Sequence, residues 1–496
     1  MTRPTLTRTV TVAVTVKTSI LAALTVAVLT ACSGGSDVAT GPAIDLTTAR
    51  GSLVANPPVI LASFPTAADF KNVLNSSASG KGLLQIAGDP KCGITFHYME
   101  YNTVGAVGEA TNATGGIMVP TGTDAACTGA RPVLLYSHGT TVEKSYNIAS
   151  PANGEAGLVA AMYAAQGFIV VTSNYVGYDA SRSTYHPYLV AEQQSNDMID
   201  ALRAARKAFT GVGATDSGKL FLSGYSQGGH VSMATHKAMQ TNYASEFKVT
   251  ASGNMSGPYA LTNTLRTVYA GGVNAGASVF TPLILTAWQK AYGNLYTTTS
   301  EVYEAPYATG IETLMPGPLT FTQLFTTGKL PTKLFASGAL VTADPSLNAL
   351  FASGVGTPNL LKESYRQSVL TNPNNPAWAA AAKNDLLSWT PARPVAMCYG
   401  AQDPTVFGSN TSDASAYFTG KGVKSLITVF NLEDAATVGP TLAGGFAAAK
   451  AGAAADPTLG ASPAERVLGA YHGSLVPPFC NIAVRSYFQS VLAAGL

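Results

Sequence analysis

Charge is the scarcest commodity in this chain. Asp, Glu, Lys and Arg make up 11% of 496 residues, against a usual share of about a quarter. The 29 basic residues are offset by 27 acidic ones, for a formal net charge of +2. That leaves no basic surplus to neutralise phosphates, which argues against nucleic-acid binding. The six histidines form no cluster with Cys or carboxylates at metal-ligand spacing, so no metal or other cofactor is implied. Beyond the first 30 residues no apolar run reaches the roughly 20 residues that a membrane-spanning helix needs. No repeat of fixed period occurs. Hydrophobic residues, by contrast, reach 46%, with 49 Gly and 28 Pro. That composition excludes a disordered chain and a coiled coil. The length suits one large domain with insertions, or two to three smaller ones.

The N-terminus reads as a targeting segment. Arg3, Arg8 and Lys17 precede an apolar run over 20–29, a charged region followed by a hydrophobic one as in an export signal. The run ends Leu29-Thr30-Ala31-Cys32 before Ser33-Gly34-Gly35-Ser36, which resembles the lipobox of bacterial lipoproteins. The resemblance implies that residues 1–31 are a signal peptide, cleaved before Cys32, whose sulfur carries lipid. The mature protein is then exported and anchored by its lipid to a membrane, facing the periplasm or the cell exterior. Residues 32–55, rich in Ser, Gly, Ala and Thr, read as a flexible tether. Four cysteines remain, an even number with no C-x-x-C spacing, as expected of disulfides in an oxidising compartment. They allow three connectivities. The pairing taken is nearest-neighbour, Cys92–Cys127 and Cys398–Cys480.

From residue 131 onward apolar strand-length runs alternate with helical patterns. Val133-Leu134-Leu135-Tyr136 leads into Ser137-His138-Gly139-Thr140. Helix-like sequence covers 155–166, and Phe168-Ile169-Val170-Val171-Thr172 follows. Met198, Leu202, Ala205 and Phe209 recur at helical spacing. A strand over 219–223 enters Gly224-Tyr225-Ser226-Gln227-Gly228-Gly229, and helical spacing resumes at Val231, Ala234 and Ala238. Two more strands are expected at 394–399 and 425–430. This is an α/β pattern with a mostly parallel central sheet covered on both faces, preceded by an antiparallel edge near Phe96 and 116–119. The expected core comprises 56–258 and 391–496. Between them, 259–390 reads as a mainly helical lid insertion, or else as a second domain without a catalytic part. Its Phe325 and Phe335 are candidate acyl-pocket residues. The Ala/Gly-rich stretch 435–462 reads as a mobile loop with a short helix.

Gly224-Tyr225-Ser226-Gln227-Gly228 is the one G-x-S-x-G in the chain. With a strand before it and a helix after it, it has the context of a nucleophile elbow. A Ser on so tight a turn has a strained backbone, and larger neighbours would clash there. Ser226 is therefore the candidate nucleophile. The chain order in such folds is Ser, acid, His. His472, in Tyr471-His472-Gly473, is the one histidine beyond the last expected strand and is the candidate base. Asp403, just after the strand over 394–399, is the candidate acid that fixes the imidazole tautomer. Its rivals are Asp385, Glu433 and Asp434. The oxyanion needs two backbone N–H donors. Gln227, next to the nucleophile, supplies one, and Thr140 or Gly139 the other.

These segments, with Gly400-Ala401-Gln402-Asp403, together resemble the α/β-hydrolase superfamily. Asn174-Tyr175-Val176-Gly177-Tyr178 with His186-Pro187-Tyr188-Leu189 looks like the loop of bacterial relatives of secretory lipases. The resemblance spans about 90–490. It implies a serine carboxylic-ester hydrolase, an esterase or lipase, working through an acyl-enzyme on a small-molecule, lipid or polymer ester. The superfamily also holds peptidases, polyester hydrolases and non-catalytic binding proteins. The long insertion and the Ala/Gly-rich stretch depart from the simplest pattern, and nothing in the chain sets an oligomeric state.

Overall fold

Short β-branched and leucine-rich runs, buried on both sides, suit central strands of a covered parallel sheet. The computed structural model describes residues 50–340 and 359–495 and arranges such runs, with other strands, in one nine-stranded sheet. Its strands are β1 (Val59–Phe64), β2 (Gly93–Val104), β3 (Ala110–Thr121), β4 (Arg131–Ser137), β5 (Ile169–Ser173), β6 (Asp216–Tyr225), β7 (Val249–Met255), β8 (Val395–Tyr399) and β9 (Ile427–Asn431). The spatial order is β1-β2-β3-β5-β4-β6-β7-β8-β9. From β5 to β9 every pairing is parallel. β1, β2 and β3 form the antiparallel edge, which joins the rest through β5. The expected leader 1–31, Cys32 and the expected tether as far as residue 49 lie outside the described residues, as does 341–358.

Six helices frame the sheet and its upper rim: α1 (Gly154–Met162), α2 (Ala191–Ala208), α3 (Gln227–Thr241), α4 (Ala277–Tyr292), α5 (Pro440–Ala455) and α6 (Val476–Ala493). Strand alternation splits the core in two. Val133 and Leu135 of β4 join Met198, Leu202 and Val231 on the face covered by α2 and α3. Leu134 and Tyr136 join Val159, Val484 and Phe488 on the face covered by α1 and α6. Disulfides join Cys92 to Cys127 and Cys398 to Cys480, all four side chains buried.

β7 carries no hydrophobic run and went unread in the sequence. Its Val249-Thr250-Ala251-Ser252-Gly253-Asn254-Met255 is buried throughout. The polar side chains are satisfied by the helix above: Ser252 Oγ meets His236 Nδ1 at 2.9 Å, and Asn254 Oδ1 accepts from Ser232 Oγ at 2.6 Å. A side chain at Gly253 would collide with Val484 of α6. The strand beside the nucleophile thus trades bulk for close helix approach.

Three further differences from the sequence reading have physical causes. The folded body begins by residue 50, not 56: Gly51 N–H donates to Asn102 O, Val54 N–H to Glu100 O, and Arg50 pairs with the buried Asp200 at 2.9 Å. Most of 435–462 is helix, since Pro440 opens α5 at a position that needs no amide donor and alanine is the best helix former. The insertion holds helices Leu261–Tyr269, α4, Glu363–Thr371 and Pro376–Asn384 around a core of its own, to which the main body lends Val142, Tyr188 and Leu189.

Candidate active site

β6 ends at Tyr225 and α3 begins at Gln227, so Ser226 alone makes the turn. Its φ of 59° and ψ of −122° lie where L-residues are strained. A Cβ at Gly224 would strike the Gly228 carbonyl, and one at Gly228 the Ser137 carbonyl. The two glycines are what let strand and helix close over this turn. Ser226 Oγ stands 2.8 Å from His472 Nε2, and His472 Nδ1 stands 2.6 Å from Asp403 Oδ2. The Asp403 side chain is fully buried, while that of His472 keeps 13% exposure. The other Asp403 oxygen, Oδ1, accepts from the amides of Thr405 at 2.9 Å and Val406 at 3.1 Å. With Nδ1 donating to that carboxylate, Nε2 is left as the acceptor for the serine proton.

His472 does not sit in a loop. It lies in a π-helical turn, Tyr471–Leu475, whose Val476 N–H reaches back to Tyr471 O. Pro477 and Pro478 cannot donate the amide bonds that an α-helix would need there, so the turn widens. The Tyr225 hydroxyl donates to the His472 carbonyl and lies 3.3 Å from Nδ1. Sequence reading overlooked this tyrosine because it is merely the variable residue of the elbow motif.

The rival residues are engaged elsewhere. Glu433 pairs with Lys450 at 2.6 Å, Asp434 caps the short helix Ala435–Val438, and Asp385 accepts the Leu387 amide. His230 Nε2 faces Asn384 O, His236 faces Ser252, and His97 is buried on β2.

In the loop after β4, the amides of Gly139 and Thr140 differ in what they meet. The Gly139 N–H donates to both oxygens of Glu155, at 3.1 and 3.2 Å, and is therefore spent. Its carbonyl faces His138 Nδ1 at 2.6 Å. Across the trans peptide the Thr140 N–H must point the opposite way from that carbonyl. Neither the Thr140 nor the Gln227 amide donates to a partner among the described residues. Glu155 was missed because, beside the capping Asn153, it reads as an ordinary first-turn acid. It is partly buried against Tyr136 and Tyr146, whose hydroxyls donate to it at 3.0 and 3.1 Å. Burial raises its pKa, against the pull of those donors.

A cleft of about 610 Å³ opens over Ser226 and His472. Thr140, Glu155 and Leu158 line it from the core, and Gly276, Phe280 and Phe321 from the insertion. Phe335 is not among its walls. It is buried in the insertion's own core with the Arg366 guanidinium 4.6 Å from its ring centre. Phe325 packs beside Phe321, outside the cleft lining. A larger groove, about 1030 Å³, runs past Leu442, Phe479 and Tyr487 but touches none of these polar groups. Volume alone would have chosen the wrong place. Among the described residues no three His, Cys, Asp or Glu side chains are grouped to hold a metal ion.

Residues 153–315 match the secretory lipase family. That span contains Ser226 but neither Asp403 nor His472. The fold is similar to the rice cell wall degrading esterase LipA from Xanthomonas oryzae, with 27% identity, a TM-score of 0.70, and coverage of 89% of this chain and 99% of that one. Its ligand-bound form gives 27% identity and a TM-score of 0.69, over 88% and 98% of the two chains. A putative hydrolase from Legionella pneumophila shares the fold at 18% identity and a TM-score of 0.65, over 88% and 98%. No curated protein matches in sequence. By its sheet the chain has the α/β-hydrolase fold, and by its secretory-lipase segment and its likeness to these esterases it is a carboxylic-ester hydrolase.

Proposed function

We propose that the protein is an exported, lipid-anchored serine esterase or lipase with Ser226, His472 and Asp403 as its triad. The observation that carries the reading is the unbroken hydrogen-bond chain Ser226–His472–Asp403 at the floor of a cleft. Ser226 Oγ attacks the ester carbonyl carbon while His472 Nε2 takes its proton. The oxyanion is received by the amides of Gln227 and Thr140. The alcohol leaves with the proton from His472, and an acyl-enzyme remains. Water, activated by the same imidazole, then releases the acid. Asp403 holds the ring and stabilises its charged form.

Two buried disulfides support an oxidising compartment. Among the described residues no helix is long and apolar enough to cross a membrane. A lipid on Cys32 supplies the anchor in this reading, and residues 259–390 act as the lid. The Xanthomonas relative is described as rice cell wall degrading, which suggests esters of wall polymers as a substrate class beside simple lipids. The test is hydrolysis of short p-nitrophenyl esters and of wall-derived esters by purified protein, with Ser226→Ala as control. Undiminished turnover in that variant would refute the triad. Labelled fatty acid that still enters a Cys32→Ser variant would refute the anchor.

A further inference from the structure

Two amides are assigned to the oxyanion, and they come from elements far apart in sequence. Something must fix the gap between them. The residue at each end reaches the same short segment, 185–189. The Gln227 side-chain Nε2 stands 2.6 Å from His186 Nε2. The Thr140 hydroxyl shares a 2.8 Å hydrogen bond with the Tyr188 hydroxyl. We propose that 185–189 braces the oxyanion hole, with His186 and Tyr188 as the positioning residues that hold Gln227 and Thr140 at their working separation. This rests on the site reading above and deepens it.

The chemistry of His186 suits the task. Its Nδ1 faces the Val176 carbonyl at 2.8 Å and must carry the ring proton. Nε2 is then an acceptor, which is what an amide N–H of Gln227 requires. Burial pulls the His186 pKa down to about 3, so the acceptor persists at neutral pH. The ring lies flat against Tyr175, 5.5 Å between centres at 16°, and packs on Tyr178 at 4.8 Å. Behind the brace, Trp288 of α4 donates to Leu189 O at 3.3 Å, which ties it to the insertion.

Backbone strain gathers in the same place. Five described non-glycine residues have positive φ: Tyr175, Asp179, Leu189, Ser226 and Ser256. One of them, Leu189, lies in the brace, two more, Tyr175 and Asp179, lie in the loop before it, and a fourth is the nucleophile. Such conformations cost about 1–3 kcal/mol each and persist where the surroundings over-determine them.

The test uses the whole protein and removes the Thr140–Tyr188 bond from either side, by Tyr188→Phe and Thr140→Val. Each should lower kcat roughly tenfold with KM within about twofold, a fraction of what outright loss of an oxyanion donor costs. The double variant should be no slower than either single, since both remove one bond. An arylboronic acid, which forms a tetrahedral adduct on the serine, should bind each variant more weakly by a similar factor. His186→Phe, which keeps the ring packing but not the acceptor, should show the same split between kcat and KM. Wild-type kcat in Tyr188→Phe and Thr140→Val, or full multiplication of their effects, overturns the brace. Ser226→Ala run alongside separates the two ideas. If it is dead while the brace variants run at wild-type rates, only the brace fails; if it still hydrolyses ester, the site reading fails with it.

Discussion

At the scale of single residues the site divides into groups that move protons and groups that only hold them. Asp403 is held by two backbone donors on Oδ1. Replacing it by Asn should lower kcat by about ten-thousand-fold or less, because a mis-tautomerised imidazole remains in place. The same change at Asp434, which caps a helix, should leave the rate nearly untouched. Ester kinetics on the two variants decide this, and a larger loss at Asp434 would move the acid. The phenylalanines separate in the same way. Phe280 and Phe321 wall the cleft, so Phe→Ala at either should weaken long acyl esters more than short ones. Phe335→Ala should instead cost about 3–5 kcal/mol of stability, since it empties the insertion's core. A panel of p-nitrophenyl esters and a thermal melt distinguish the two outcomes.

At the scale of elements, α5 is an alanine helix that carries two glycines. Gly444 has open space where a Cβ would go, whereas at Gly445 the Phe479 ring lies 3.2 Å away. Gly444→Ala should therefore stabilise the protein by up to about 1 kcal/mol. Gly445→Ala should gain less or nothing, because Phe479 must yield. Melting temperatures of the two variants test the contrast, and equal gains would argue against it. The Cys398–Cys480 bond ties the end of β8, five residues before Asp403, to α6, eight residues after His472. It closes a span of 82 residues, for which the chain-entropy model gives roughly 4–5 kcal/mol as an upper figure. The span is largely helical, so the bond does not have to restrain a floppy segment. Cys398→Ala with Cys480→Ala should lower the melting temperature, and should lower kcat at temperatures where the fold is intact. A stability loss without any change in rate would limit the bond to a structural role.

At the scale of the whole molecule, buried histidines set the response to acid. Burial draws the pKa of His138 and His230 to about 4, and of His186 and His236 to about 3, from an ordinary 6.5. The unfolded chain takes up these four protons as pH falls through about 6.5, and the folded protein refuses them until about 4 or below. Their contribution is complete above 6.5 and is lost on acidification. Asp197, raised by burial to about 7, and Glu155, also raised, act in the opposite sense, contributing less as pH climbs. His97 is lowered too, so five histidines stand against two raised carboxyls, and each uncompensated proton is worth about 1.4 kcal/mol per pH unit. The melting temperature should fall steeply between about pH 6 and 4. A flat profile across that range would mean that the histidines are not buried as described.

Much of this could be read from the chain alone. Short apolar runs that alternate with helical patterns read as strands of a parallel sheet, so β4, β5, β6, β8 and β9 were legible. So was the elbow, because a strand, two glycines and a helix around one Ser admit few other conformations. Candidate residues at Ser226, Asp403 and His472 followed from their order relative to those strands. Charge and composition excluded whole classes of partner. Tertiary structure alone decided what depends on contacts between distant segments. β7 is polar and became a strand only because α3 satisfies its Ser and Asn and α6 fills the space over Gly253. That Glu155 takes the Gly139 amide, in the loop proposed for the oxyanion, depends on such a contact. The cleft walls were misassigned because hydrophobicity is the same in Phe335, which fills a core, and Phe280, which lines a cavity. Local sequence fixes what each segment wants to be. Which face it buries, and against what, is settled only when the other segments arrive.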